Sequence, residues 1–90
     1  MNESEYTAAF EGIVADPSLT DMEKLVRAFH LTTRQYIGHY KHDAEIARAM
    51  GDRDTAVREE IKAGMIEAAR GMFGHCYLRI TGMRGNWWDE

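Results

Sequence analysis

In the middle of the chain, mostly apolar residues recur at alternating spacings of four and three. This spacing places side chains on one face of a long α-helix. The members of the run are Met22, Val26, Phe29, Thr33, Tyr36, Tyr40, Asp43, Ala47 and Met50. Thr20 and Glu23 form a capping box before it, and Gly51-Asp52 supplies a stop and the next cap. We predict one helix over about residues 21–50, continuous through Gly38.

A second apolar stripe predicts another long helix over about residues 53–81. The members of this stripe are Val57, Ile61, Met65, Ala68, Met72 and Cys76. Gly64 and Gly71 lie on or beside it, where each interior glycine costs ~0.5–1 kcal/mol relative to alanine. A kink or break at residues 71–74 therefore stays open as an alternative to a continuous helix.

A shorter helix is predicted near the N-terminus, over about residues 5–15. Its apolar residues are Tyr6, Phe10, Ile13 and Val14. Ser4 is the expected N-cap, and Asp16-Pro17 ends the pattern because the residue before a proline is driven away from helical geometry.

These three elements predict an all-α fold in one domain, residues 1–90, with a Trp-containing tail over residues 83–90. Two helices of similar length joined by a short turn form an antiparallel hairpin, and the short first helix covers one end. A chain of 90 residues has a thin core, and the hairpin leaves apolar stripe uncovered. We therefore expect a homodimer that completes a four-helix bundle.

The composition of the chain bears on its location and on the partners it can bind. Cys76 is the only cysteine, so no disulfide can form within the chain, and a reducing, cytoplasmic location is expected. No apolar stretch reaches the ~18 residues of a membrane span. The net charge of −4 disfavours general nucleic-acid binding. A local basic face built from Arg70, Arg79 and Arg84 keeps a nucleic-acid-binding protein open as an alternative.

Two groups of residues contain side chains that can bind a metal ion. His39 and Asp43 share one face of the predicted helix, one turn apart, within the His-rich and acid-rich segment at residues 38–47. Folding the hairpin also brings His30 to the level of His75 and Cys76, and imidazole and thiolate are good zinc ligands. Helix-surface contacts and core packing explain both groups more simply. We expect no cofactor, and a metal-binding helical bundle stays as an alternative.

No catalytic motif is present: the chain lacks a Gly-x-Ser-x-Gly elbow and a Gly-rich phosphate loop. We therefore expect a small non-enzymatic protein–protein interaction module. Compact acidic chains of this kind suit regulators, including inhibitors of host proteins encoded by phages or mobile elements. Trp87 and Trp88 in the tail and the acidic residues Glu3, Glu5 and Glu11 are the expected partner contacts, since tryptophan is a common interface anchor.

Overall fold

A computed structural model describes residues 1–82, which fold into three α-helices without a strand. Helix α1 spans Glu3–Ala15, α2 spans Asp21–Ala49 and α3 spans Arg53–Thr81. These bounds lie close to the predicted ones. Both long helices run uninterrupted, α2 through Gly38 and α3 through residues 71–74. None of the helices in this part of the chain is both long and apolar enough to cross a bilayer.

The helix starts are fixed by local side-chain caps. Thr20 caps α2 as predicted, because its hydroxyl accepts a hydrogen bond from the Glu23 backbone N–H at 3.2 Å. The predicted cap of α1 is wrong, since Ser4 lies inside the helix and Asn2 is the N-cap. The Asn2 side chain accepts from the Glu5 N–H at 2.8 Å, and the Glu5 carboxylate accepts from the Asn2 N–H at 3.4 Å. This reciprocal pair satisfies two backbone donors, so the helix starts two residues earlier than predicted.

A tight turn joins α2 to α3. Gly51 has a φ of +79°, a left-handed conformation that suits glycine. The Gly51 N–H donates to the carbonyl of Arg48 at 3.0 Å, and the Asp52 N–H donates to that of Ala47 at 2.8 Å. These two bonds are the Schellman pattern. Asp52 then caps α3 by accepting from the Thr55 N–H at 3.1 Å, so the chain reverses direction within a few residues.

The Asp52 cap makes stability depend on pH. Hydrogen bonds from the Thr55 side chain and backbone hold the pKa of the Asp52 carboxyl below its ordinary value of 3.8. Since this pKa is lower in the folded chain, the stabilisation is present above the ordinary value and is lost as the pH falls through the lowered one. We expect wild type to lose more stability than Asp52→Asn between about pH 6 and about pH 2 in urea unfolding, because asparagine caps well but does not titrate. Equal losses would contradict this role.

Helices α2 and α3 pack closely as an antiparallel hairpin, and small residues form their contact. The buried apolar residues of the described chain are Val26, Ala44, Ala47, Ala56 and Ala63. Ala56 and Ala63 keep 0% and 2% of their surface exposed. Because alanine is short, the two helix backbones can approach closely, but little apolar area is buried between them.

The predicted register of α3 is wrong. Ile61, Met65 and Met72 were expected in the core, yet they are 57%, 69% and 66% exposed, and Cys76 is exposed too. Helix α3 carries apolar residues on two opposite sides, so the sequence pattern allowed two registers. The side that carries Ala56, Ala63 and Phe73 faces α2, and the side that carries Ile61, Met65 and Met72 faces outward.

The register of α2 is correct in part. Val26 and Ala47 are buried as predicted. Ala44, expected to widen this stripe, is buried as well. However, His30 is also buried, whereas Asp43, expected at the edge of the core, is exposed. The true contact face is rotated from the predicted stripe toward His30. As a result, the large side chains on the other edge of that stripe lie at the surface.

Helix α1 packs on the side of α2 that faces away from α3. The Tyr6 hydroxyl lies 2.9 Å from that of Thr32, and the Lys24 ammonium donates to the Val14 carbonyl at 2.7 Å. Lys24 lies two residues before the buried Val26, which places it about 200° around α2 from the α3 contact. The helices therefore lie roughly side by side, in a flat molecule of 48 × 30 × 16 Å with both broad surfaces open.

Candidate interaction surface

One partly buried polar cluster joins α3 to α2. The Arg70 guanidinium donates to the His30 carbonyl at 2.8 Å, the Thr33 hydroxyl at 2.9 Å and the His30 Nδ1 at 3.0 Å. A guanidinium can only donate, so the His30 Nδ1 is the acceptor in the third of these hydrogen bonds. Burial lowers the pKa of the Arg70 guanidinium, and the nearby positive charge of Arg34 lowers it further. These hydrogen bonds hold α3 against α2.

The two broad surfaces of the α2–α3 hairpin differ in chemistry. On one surface, Lys41 pairs with Glu67 at 2.8 Å, and Arg48 pairs with Glu60. We call this surface the charged face. These pairs join the helices across the groove, but each is about half exposed and contributes at most ~1 kcal/mol.

The opposite surface is built from rings. The Phe29 and Phe73 rings stack across the groove with centroids 4.6 Å apart. Tyr36 and Tyr40 stack along α2 at 6.2 Å, and the Lys62 ammonium lies 5.5 Å from the Tyr40 centroid. Leu25 continues this surface along α2. We call the surface formed by Leu25, Phe29, Tyr36, Tyr40 and Phe73 the aromatic face. Leu25 is 60% exposed and Tyr36 is 50% exposed, so their apolar atoms reach solvent.

A third apolar surface is the outer face of α3. Its members are Val57, Ile61, Met65, Ala68 and Met72. Ile61 and Ala68 each lie two residues before a residue that contacts α2, namely Ala63 and Arg70, and two residues turn a helix by about 200°. The outer face therefore points directly away from the hairpin contact.

The candidate metal ligands are not brought together. His39 and Asp43 are exposed on α2, where His39 lies 3.1 Å from the Gln35 side chain. His75 and Cys76 are exposed on α3, whereas His30 is inside the hairpin beside Arg70. Within residues 1–82 no three His, Cys, Asp or Glu side chains are placed to hold a metal ion.

The other expected contact residues are spread along the chain. Glu3, Glu5 and Glu11 are exposed on α1, and Glu5 also takes part in the helix cap. Arg79 is exposed, but Arg70 is turned inward, so these two arginines do not form a joint basic face. Arg84, Trp87 and Trp88 lie outside the described residues.

No family model, curated protein or solved structure matches the chain. The aromatic face and the Arg70 cluster were both missed by sequence reasoning. The signal that could have revealed them is the seven-residue spacing of Ala56, Ala63 and Arg70, which marks the true α2-facing side of α3.

Proposed function

We propose that this chain is a small non-enzymatic interaction module that binds another protein through its aromatic face. The observation that carries the proposal is where the large apolar residues lie. The buried apolar residues of the described chain are one valine and four alanines, while large side chains such as Leu25 and Tyr36 are at least half exposed. Contiguous exposed apolar surface of this kind is typical of interaction sites.

The chemistry of the aromatic face indicates what it would bind. Rings supply large, rigid contact area, and tyrosine adds a hydroxyl that can bond at the edge of an interface. This surface extends along the α2–α3 hairpin, and Lys62 at its margin pairs with Glu59 at 3.0 Å. We therefore infer that the partner supplies an amphipathic helix that packs its apolar residues against the rings.

The polar residues support binding rather than catalysis. His30, Arg70 and Thr33 lie together between the two long helices, where Arg70 donates to both of the others. Their hydrogen bonds hold α2 and α3 together, and these two helices carry the aromatic face. The acidic residues of α1 and the tryptophans of the tail stay predicted contacts beside that face.

Affinity capture from the source organism with matched variants tests the proposal. Leu25→Glu/Tyr36→Glu places two charges on the aromatic face, whereas His42→Glu/Ala49→Glu places two charges on exposed positions of α2 away from it. We expect the first variant to lose a partner that wild type and the second variant retain. With the purified partner, calorimetry should show at least about thirtyfold weaker binding, which corresponds to losing about 2 kcal/mol at an interface hot spot.

Two results would contradict this function. One is that no protein is enriched over a beads-only control by the wild type. The other is a partner that binds Leu25→Glu/Tyr36→Glu as tightly as wild type, because the aromatic face would then not be its contact. Far-UV circular dichroism of both variants checks that the helices are intact.

A further inference from the structure

The outer face of α3 is apolar in its centre and charged at its ends. From Val57 to Met72 the positions pointing directly away from α2 are apolar or glycine, and Ile61 and Met65 are more than half exposed. Asp54 lies on this side one turn before the apolar segment, and Arg79 lies on it about two turns after the segment. The face therefore has an apolar middle, with Asp54 at one end and Arg79 at the other.

These two charges favour an antiparallel pair of α3 helices over a parallel pair. Two parallel α3 helices would place Asp54 beside Asp54 and Arg79 beside Arg79, which repel. Two antiparallel helices place each acid beside the base of the other copy, and their helix dipoles also oppose favourably. The same antiparallel register sets Ile61 opposite Met72 and Met65 opposite Ala68, so large side chains meet flexible or small ones.

We propose that two copies of this chain associate through the outer face of α3, with the two α3 helices antiparallel and Asp54 of each copy beside Arg79 of the other. Such a contact is isologous, since both copies use the same surface around a two-fold axis. This association uses a different surface from the proposed partner site and does not depend on it.

The arrangement has a geometric consequence for the assembly. Because the outer face points away from α2, the order of helices across the dimer is α2, α3, α3 and α2, in one layer. This differs from the closed four-helix bundle predicted from the stripes. The two-fold axis of an antiparallel helix pair runs perpendicular to the layer. Both aromatic faces therefore lie on the same side and form one doubled surface.

Sedimentation velocity over a concentration series tests the association. We expect wild type to be a dimer at micromolar concentration and Met65→Glu to raise the dissociation constant at least a hundredfold. Met65 is 69% exposed, so the charge is tolerated in the folded monomer. Ala49→Glu, on an exposed position of α2, is the matched control and should stay dimeric. A monomeric wild type, or a Met65→Glu variant that dimerises normally, would overturn the proposal.

Cysteine cross-linking tests the orientation. In a Cys76→Ser background, Ile61→Cys and Met72→Cys are made separately, oxidised alone and oxidised as a mixture. In the antiparallel register each new thiol is about 16 Å along the axis from its own copy, at 1.5 Å per residue, but opposite the other variant's thiol. We expect disulfide dimers only in the mixture. Cross-linking of each variant with itself would show parallel helices and overturn the proposed register.

The two proposals fail in different ways. A monomeric wild type that still loses its partner in Leu25→Glu/Tyr36→Glu removes the dimer and leaves the interaction module. If wild type is a dimer and the double variant binds the partner normally, the proposed partner site is removed and the dimer remains.

Discussion

Replacing Arg70 with methionine is expected to lower the free energy of unfolding by about 2–3 kcal/mol. The guanidinium makes three contacts with α2, to the His30 carbonyl, the His30 Nδ1 and the Thr33 hydroxyl. Methionine keeps most of the apolar stem but donates no hydrogen bond. The His30 imidazole is buried, so losing the donor at Nδ1 leaves an acceptor that water reaches poorly.

Urea unfolding followed by circular dichroism measures this effect at one fixed protein concentration. Arg53→Met is the matched control, because Arg53 is exposed at the first turn of α3 and its change should stay within about 0.5 kcal/mol. A double-mutant cycle with Thr33→Val isolates the bond to the hydroxyl, and its coupling energy should be at least about 0.5 kcal/mol. An Arg70→Met variant as stable as Arg53→Met would show that the cluster does not fasten the helices.

The helix bounds could be predicted because they depend on local chemistry. Thr20 with Glu23 and Gly51 with Asp52 act within a few residues, and each forms an expected backbone cap. The second half of the predicted capping box differs, because the Glu23 carboxylate accepts from the Thr20 hydroxyl and not from the Thr20 backbone. The cap of α1 was misplaced because Asn2 and Ser4 both have cap chemistry. The two long apolar stripes, joined by a short turn, then predicted a hairpin of two long helices.

The packing face of α3 could not be predicted because its apolar residues surround the helix. Judged by size alone, Ile61 and Met65 are better core residues than Ala56 and Ala63. Ala56 and Ala63 face α2 instead, because their short side chains let α3 approach α2 closely and leave room for the Phe29–Phe73 stack. The Arg70 cluster was missed for the same reason, since pairing Arg70 with His30 needs the correct register on both helices.

The mistaken register also changes which residues are candidates for function. His75 and Cys76 were placed in the interior beside His30, where they could have shared a metal ion. In the true register they are exposed, while His30 is bound to Arg70. Conversely, the stripe expected to be the core becomes the outer face of α3. Ile61, Met65 and Met72 therefore add to the exposed apolar surface of the chain.

Replacing Ala63 with leucine is expected to lower the free energy of unfolding by about 2–3 kcal/mol. Ala63 is only 2% exposed at the centre of the α2–α3 contact, so three extra carbon atoms force the helices apart. Leucine is nearly as good a helix former as alanine, so intrinsic propensity does not account for a loss of this size. Separating the helices would also weaken the neighbouring Arg70 cluster, so the effect belongs at the upper end of overpacking costs.

Ala8→Leu is the control for this substitution, because Ala8 is an exposed residue within α1. Its free energy of unfolding should stay within about 0.5 kcal/mol of wild type in the same urea titration. If Ala63→Leu were equally well tolerated, Ala63 would not lie in the hairpin contact. The side of α3 that carries Ile61 and Met65 would then be free to face α2, and the proposed antiparallel dimer would lose its surface.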